Sequence, residues 1–274
     1  MSRRRRPRRR DRERWLILLG AALIVLAAVG IAGGLDLLWQ ARSTQVAIDA
    51  ETLCPKDGPR SVVVVLIDRT DAITPLQRAD IETQLRDLVD DIPRFGALEI
   101  YSVGPVEAEP LRPEFKLCNP GRGKEIDPLI GAPERVERRW RSGFEEPLKR
   151  VLDGLLQPGT ATTSPIMESI QSVAVTAFSG RSREGISKRL VIVSDMIQYT
   201  SGLSQYREVT PFATLRKSPY YRKVQARLDG VDVEIWYLRR DAAKNIQTKG
   251  HIEFWQEYFS DQGATLSRVL ALAG

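Results

Sequence analysis

Histidine is almost absent: His251 is the only one in 274 residues. A lone imidazole with no cysteine or serine motif beside it argues against a histidine-based nucleophile triad and against zinc held by histidines. No glycine-rich loop follows any strand-like segment, so a cradle for nucleotide phosphates is lacking. Cysteine is limited to Cys54 and Cys118, which allows one disulfide at most. There is no internal repeat, and low complexity is confined to the N-terminal tail. An excess of positive charge is likewise confined to that tail. The formal net charge is +6, but residues 1–14 hold nine arginines against Asp11 and Glu13, a net +7, which leaves −1 for the other 260 residues. A body of that charge has no general attraction for nucleic acid.

What the tail precedes explains it. Residues 15–35, WLILLGAALIVLAAVGIAGGL, carry no charge. As a helix rising ~1.5 Å per residue they span roughly one hydrocarbon core. Trp15 and Trp39 bracket the run where aromatic belts sit, and arginines on one side only place the N-terminus in the cytoplasm. A cleaved signal peptide is the rival reading. Its apolar region is usually ~7–15 residues, and here no clear small-x-small site precedes a charged mature start. We therefore expect a cytoplasmic tail (1–14), a membrane anchor (15–38), a linker (39–59) and one exported domain (60–274). Gly30 and Gly34 form a single GxxxG, which admits homo-oligomerisation through the anchor; small residues on a lipid-facing helix are the favoured explanation. An arginine-to-lysine ratio of 32 to 9 fits a GC-rich bacterial genome.

The exported part alternates strands and helices. SVVVVLI (61–67) is continuously apolar, as a strand covered on both faces should be. Thr74, Pro75 and Gln77 spell a capped helix start, and the helix is expected to run to about Ile92, with Leu76, Ile81, Leu85, Leu88 and Val89 on one side. A strand follows at Ala97–Val103, and a weaker one at Leu111–Leu117. Residues 133–156 read as a helical region with Val136, Trp140, Phe144, Leu148, Leu152 and Leu155 as its stripe, broken at Pro147. A helix is expected from Pro165 to about Ser179, strands at 189–196 and 232–240, and helices near 212–228 and 248–260; ATLSRVLAL closes the chain. This pattern gives an α/β fold, doubly wound, with a mainly parallel sheet and helices on both faces.

In such sheets ligands bind beyond the carboxyl ends of the strands. Two strands end in aspartate, Asp68 and Asp195, and Thr163 and Ser164 stand at the capping position of a helix that starts nearby. Carboxylates and hydroxyls gathered on one edge suit a hard cation with oxygen ligands, Mg²⁺ before Mn²⁺ or Ca²⁺. The other reading of Asp68 is a cap on the following turn, or a hydrogen-bonded knot.

The arrangement resembles the von Willebrand factor A domain. That family has a metal-ion-dependent adhesion site, read as Asp-x-Ser/Thr-x-Ser after the first strand, a Thr before a later helix and an Asp after the fourth strand. Here Asp68-Arg69-Thr70-Asp71-Ala72 matches at Asp68 and Thr70. Ala72 stands where the second Ser belongs, so one direct hydroxyl ligand is missing; Asp71 or a water is the substitute. SPIMESI (164–170) aligns with Thr-Pro-Leu-x-x-Ala-Ile and puts Ser164 at the threonine, with Thr163 as the alternative. Asp195 in VIVSDM matches the third motif. The resemblance covers about residues 60–270 and implies metal ligation by Asp68, Thr70, Ser164 and Asp195, with Asp71 and Thr163 as alternates. It also implies an antiparallel third strand at the sheet edge. Leu111–Leu117 in that role would carry Cys118 to the end where Cys54 precedes the first strand, within reach of a disulfide. Two free thiols are the alternative.

The function this implies is a membrane-anchored, non-enzymatic module of the bacterial envelope. It sits in the inner membrane with its domain in the periplasm and binds a protein partner whose acidic residue completes the metal shell. The second reading is a Mg²⁺-dependent phosphohydrolase of haloacid-dehalogenase type, with Asp68 as nucleophile beside Ser164, Lys188 and Asp195. That family wants a second acid two residues on, where Thr70 stands, and Lys188 falls at the wrong end of its strand. Tyr199, Tyr206, Tyr220 and Tyr221 flank the cation edge as a partner-binding rim or as half-buried loop anchors. Arg181, Arg183, Lys188 and Arg189, at the opposite edge, read as a solvated surface.

Overall fold

A computed structural model describes residues 9–43, 46–104, 110–128, 131–157 and 161–272. The expectations for residues 1–8, for the linker at 44–45 and for the side chain of Trp39 lie outside the described residues. The chain divides into two units, Met1–Ala47 and Ile48–Gly274. Among its described residues the first contains one helix, α1 (Arg9–Ser43). Within it, Arg14–Gly34 is long and apolar enough to cross a membrane, and its large apolar side chains are exposed.

The second unit is a six-stranded sheet. Its strands are β1 (Ser61–Ile67), β2 (Ala97–Ser102), β3 (Phe115–Cys118), β4 (Ser187–Ser194), β5 (Val231–Leu238) and β6 (Thr265–Leu272). They lie in the order β3-β2-β1-β4-β5-β6. All neighbours are parallel except β3, which runs antiparallel on β2 at the edge. An antiparallel third strand at the edge of a mainly parallel sheet is what the sequence resemblance implies. The apolar run of β1 feeds two cores by simple alternation. Val62, Val64 and Leu66 pack with α5 (Ile166–Ala177), α6 (Phe212–Leu215), α7 (Pro219–Lys223) and α8 (Lys249–Asp261). Val63, Val65 and Ile67 pack with α2 (Pro75–Asp91), α3 (Pro133–Trp140) and α4 (Glu146–Leu155) on the other face. At about 1.5–3 kcal/mol per buried Val, Leu or Ile side chain, this central strand organises both layers.

Several boundaries differ from the sequence reading, each for a physical reason. α2 has the expected capping box, Thr74 with Gln77, but Leu76 is exposed, because the buried stripe starts at Gln77 and continues through Ile81, Leu85, Leu88 and Val89. The third strand is Phe115–Cys118 and not Leu111–Leu117; Pro113 inside the expected range has no amide to give a ladder. Residues 133–155 are not broken at Pro147. A π turn at Arg141–Glu145 joins α3 to α4, with the Glu146 amide reaching back to the Arg141 carbonyl. Pro147 sits in the first turn of α4, where an amide is dispensable. Residues 212–228 hold two short helices, since Pro219 begins a new one capped by Ser218. ATLSRVLAL forms the edge strand β6.

Cys54 and Cys118 form a disulfide with Cα atoms 4.8 Å apart. The Cys118 amide also donates to the Thr52 carbonyl at 2.8 Å, fastening the chain that enters β1 to the edge strand. The basic group at the opposite edge is not simply solvated. Arg183 is buried and donates to Glu99 at 2.7 Å, and Arg189 donates to the buried Glu234. Arg181 alone of the four is exposed, with Lys188 part-buried.

Candidate functional site

The site lies at the carboxyl end of β1 and β4. β1 stops at Ile67, but the Asp68 amide continues the ladder to the Val193 carbonyl at 2.9 Å, which fixes the carboxylate at the strand tip. Asp68 is only 4% exposed. Its Oδ1 accepts from the Thr70 amide (3.0 Å) and hydroxyl (2.7 Å). Its Oδ2 accepts from the Ser194 hydroxyl at 2.7 Å and the Ser164 hydroxyl at 3.3 Å. A carboxylate buried this deeply needs such partners, since an unpaired one would cost several kcal/mol.

Asp195 follows β4 and is 3% exposed. Its Oδ1 accepts from the Ile197 amide at 2.9 Å, and its Oδ2 from Arg240 Nε at 3.3 Å. Burial, and then the neighbouring charge of Asp68, push Asp195 up to about 7, against the pull of the Ile197 amide and Arg240. The next residue, Met196, has φ 61°, a left-handed conformation that a non-glycine residue adopts only when held. Its amide donates to Ser194 Oγ at 2.8 Å, and its carbonyl accepts from Trp255 Nε1 at 3.0 Å. The sharp turn directs Asp195 toward Asp68 and Arg240.

Ser164 arrives from the other side. Its amide and carbonyl form a two-bond bridge with Tyr199 at 2.8 and 2.9 Å. It is not the cap of α5, whose cap position is Pro165; the free amide of Met167 is met by Gln198 Oε1 at 3.0 Å. Freed from capping, the Ser164 hydroxyl faces Asp68. Thr163 is exposed and makes none of these bonds. Asp71 is exposed too, close enough that its charge raises Asp195 and Tyr206.

Two participants were not foreseen. Ser194 reads as strand interior in VIVSDM, although its place beside Asp195 was a signal. Arg240 reads as the end of the strand DVEIWYLRR, but β5 ends at Leu238. Its guanidinium reaches both Asp195 and the carbonyl of Ala72.

Of the four tyrosines, Tyr199 and Tyr206 are 41% and 48% exposed, with rings edge-to-face at 5.1 Å. The Asp71, Asp195 and Asp68 charges, after burial, push Tyr206 up to about 12, which puts it in the field of the site. Tyr220 is half-buried, donating to Glu168 at 2.6 Å, and Tyr221 is buried in the core.

The donor set suits a hard cation: two carboxylates and three hydroxyls, all oxygen, carrying more negative charge than one guanidinium offsets. Among the described residues, no group of three or more His, Cys, Asp or Glu side chains is set to hold a metal ion. Any such ion would therefore rely on the hydroxyls of Thr70 and Ser164.

No family model matches this chain, and no curated protein matches it. Among solved structures, it is similar to the conserved hypothetical protein BatB from Bacteroides thetaiotaomicron, with 13% identity over 77% of this chain and 91% of that one and a TM-score of 0.41. It is also similar to an aerotolerance-related membrane protein from Bacteroides fragilis NCTC 9343 with multiple mutations to serines, with 14% identity over 78% and 92% and a TM-score of 0.37.

Proposed function

We propose that this chain is a non-enzymatic, membrane-anchored interaction module that docks a protein partner at the carboxyl edge of its sheet. Asp68, Thr70, Ser164 and Asp195 would there hold a divalent cation, Mg²⁺ first, with Mn²⁺ and Ca²⁺ as alternates. The observation that carries this reading is the pairing of two carboxylates, 4% and 3% exposed, in which burial first, and then the charge of Asp68, raise Asp195 to about 7. Folding does not gather two buried like charges without return, and a bound cation is the return the donor chemistry favours. The exposed Tyr199–Tyr206 pair beside it supplies the apolar, orientable contact that interaction surfaces use. The arginine tail supports a cytoplasmic N-terminus and a periplasmic domain, in the inner membrane of a bacterium.

The phosphohydrolase reading has less support. Thr70 stands where a second acid would act and is hydrogen-bonded to Asp68 itself. Lys188 pairs with Val62 near the start of β1, at the far end of the sheet from Asp68.

Calorimetric titration of the detergent-solubilised chain with Mg²⁺ and Mn²⁺, wild type against Asp68→Ala, tests the proposal. Heat and a melting shift at millimolar metal in the wild type, both lost in the variant, are expected. If Asp68 were only a cap, the variant would lose ~0.5–2 kcal/mol of stability and neither protein would respond to metal or chelator. Phosphatase activity that depends on Asp68 would overturn the non-enzymatic assignment.

A further inference from the structure

Arg240 is built into the site with more care than a surface arginine needs. Its amide donates to Gln247 Oε1 at 2.7 Å. Gln247 is itself buried, and its Nε2 donates to the Leu238 carbonyl at 2.8 Å and the Asp195 carbonyl at 3.2 Å. One buried amide side chain thus clamps the start of the loop after β5 to the tip of β4. From that clamp the Arg240 side chain, 18% exposed, lies across Asp195 Oδ2 and donates through Nη1 to the Ala72 carbonyl. Ala72 is the one position of the strand-tip motif that lacks its hydroxyl. The same end of the site that is short of a ligand has therefore received a guanidinium.

We infer that Arg240 is the resident cation of this site and competes with a divalent ion for Asp195, so that metal binds only as the guanidinium is displaced. This rests on the cation reading of the site given above. The charge balance gives the direction. When both are ionised, as a ligating pair must be, Asp68 and Asp195 present two negative charges; Arg240 leaves one, and a divalent ion added beside it would leave the site net positive. Without Arg240 the same two carboxylates match a divalent ion. A guanidinium also cannot shed its proton to make way, so it must move.

The test uses the full chain in detergent, as wild type, Arg240→Gln and Arg240→Lys. Mn²⁺ and Mg²⁺ affinities are read by calorimetry, and melting is read in EDTA and in millimolar Mg²⁺. Arg240→Gln should bind metal at least tenfold more tightly than wild type. It should also melt lower than wild type in EDTA and recover in Mg²⁺. Arg240→Lys keeps the charge and the fold but cannot span Asp195 and the Ala72 carbonyl together, so its affinity should be intermediate. If either variant binds with wild-type affinity or weaker while wild-type binding depends on Asp68, Arg240 is no competitor and the cation reading stands. If no protein in the series binds metal, both fall together.

Discussion

The side chains that sequence placed best were those with a single physical explanation. Asp68 and Asp195 each end an apolar run, and no strand interior accounts for a carboxylate there. The residues it misplaced owe their roles to distant partners. Arg240 acts on Ala72, 168 positions earlier, and no local pattern encodes that. Arg183 is a sharper case, a surface charge in the sequence and a buried one in the fold. Its Nη2 donates to Glu99 Oε1 at 2.7 Å, Tyr101 donates to Oε2 at 2.8 Å, and Lys116 lies 3.2 Å from Oε1. Glu99 is fully buried within β2. Removing one partner leaves the other charged in a poor solvent, so Glu99→Gln should cost about 3–5 kcal/mol. The double variant Glu99→Gln/Arg183→Met should recover much of that loss. Urea unfolding midpoints of the single and double variants check this, and additive losses would show that the pair is not coupled.

At the scale of elements, the sequence was legible where a motif acts locally. The capping box of α2 needs only Thr74 and Gln77, and it formed as expected. β6 was not assigned, because an edge strand with one exposed face gives a weak pattern and exists only through β5. α8 was located, but its purpose was not. It buries His251, Phe254, Trp255, Tyr258 and Phe259 against the sheet and braces the Met196 turn behind Asp195. His251 is fully buried among Tyr237, Gln205, Trp255 and the Met196 carbonyl. Burial drives it down to about 4 from an ordinary 6.5. Between those values the unfolded chain binds a proton that the fold does not. The His251 contribution is therefore whole above about pH 6.5 and is lost as pH falls toward 4, to the extent of ~3 kcal/mol. Unfolding free energy measured across that window should fall with acid in the wild type and fall less steeply in His251→Gln, whatever the level from which the variant starts.

At the scale of the whole molecule, the disulfide and the arginine tail are two independent statements about compartment. Neither follows from the other, since Cys54 and Cys118 belong to the domain and the arginines to the segment before the apolar helix. The resemblance pointed to the bridge only through the edge strand, and β3 delivers Cys118 by its antiparallel pairing with β2, where Cys118 lies opposite Ala97. A bridge of this kind persists in an oxidising space and is kept reduced in the cytosol. It spans 64 positions, so in the chain-entropy model it stabilises the domain by about 4 kcal/mol. Reductant should accordingly lower the melting temperature and slow gel migration, and Cys54→Ser/Cys118→Ser should melt like the reduced protein. In cells, both thiols should resist maleimide labelling until reductant is added, and a C-terminal reporter active only in the cytoplasm should stay silent. A signal from that reporter together with free thiols would place the domain inside and overturn the orientation. A silent reporter with freely labelled thiols would keep the orientation and remove the bridge, so the two statements can fail separately.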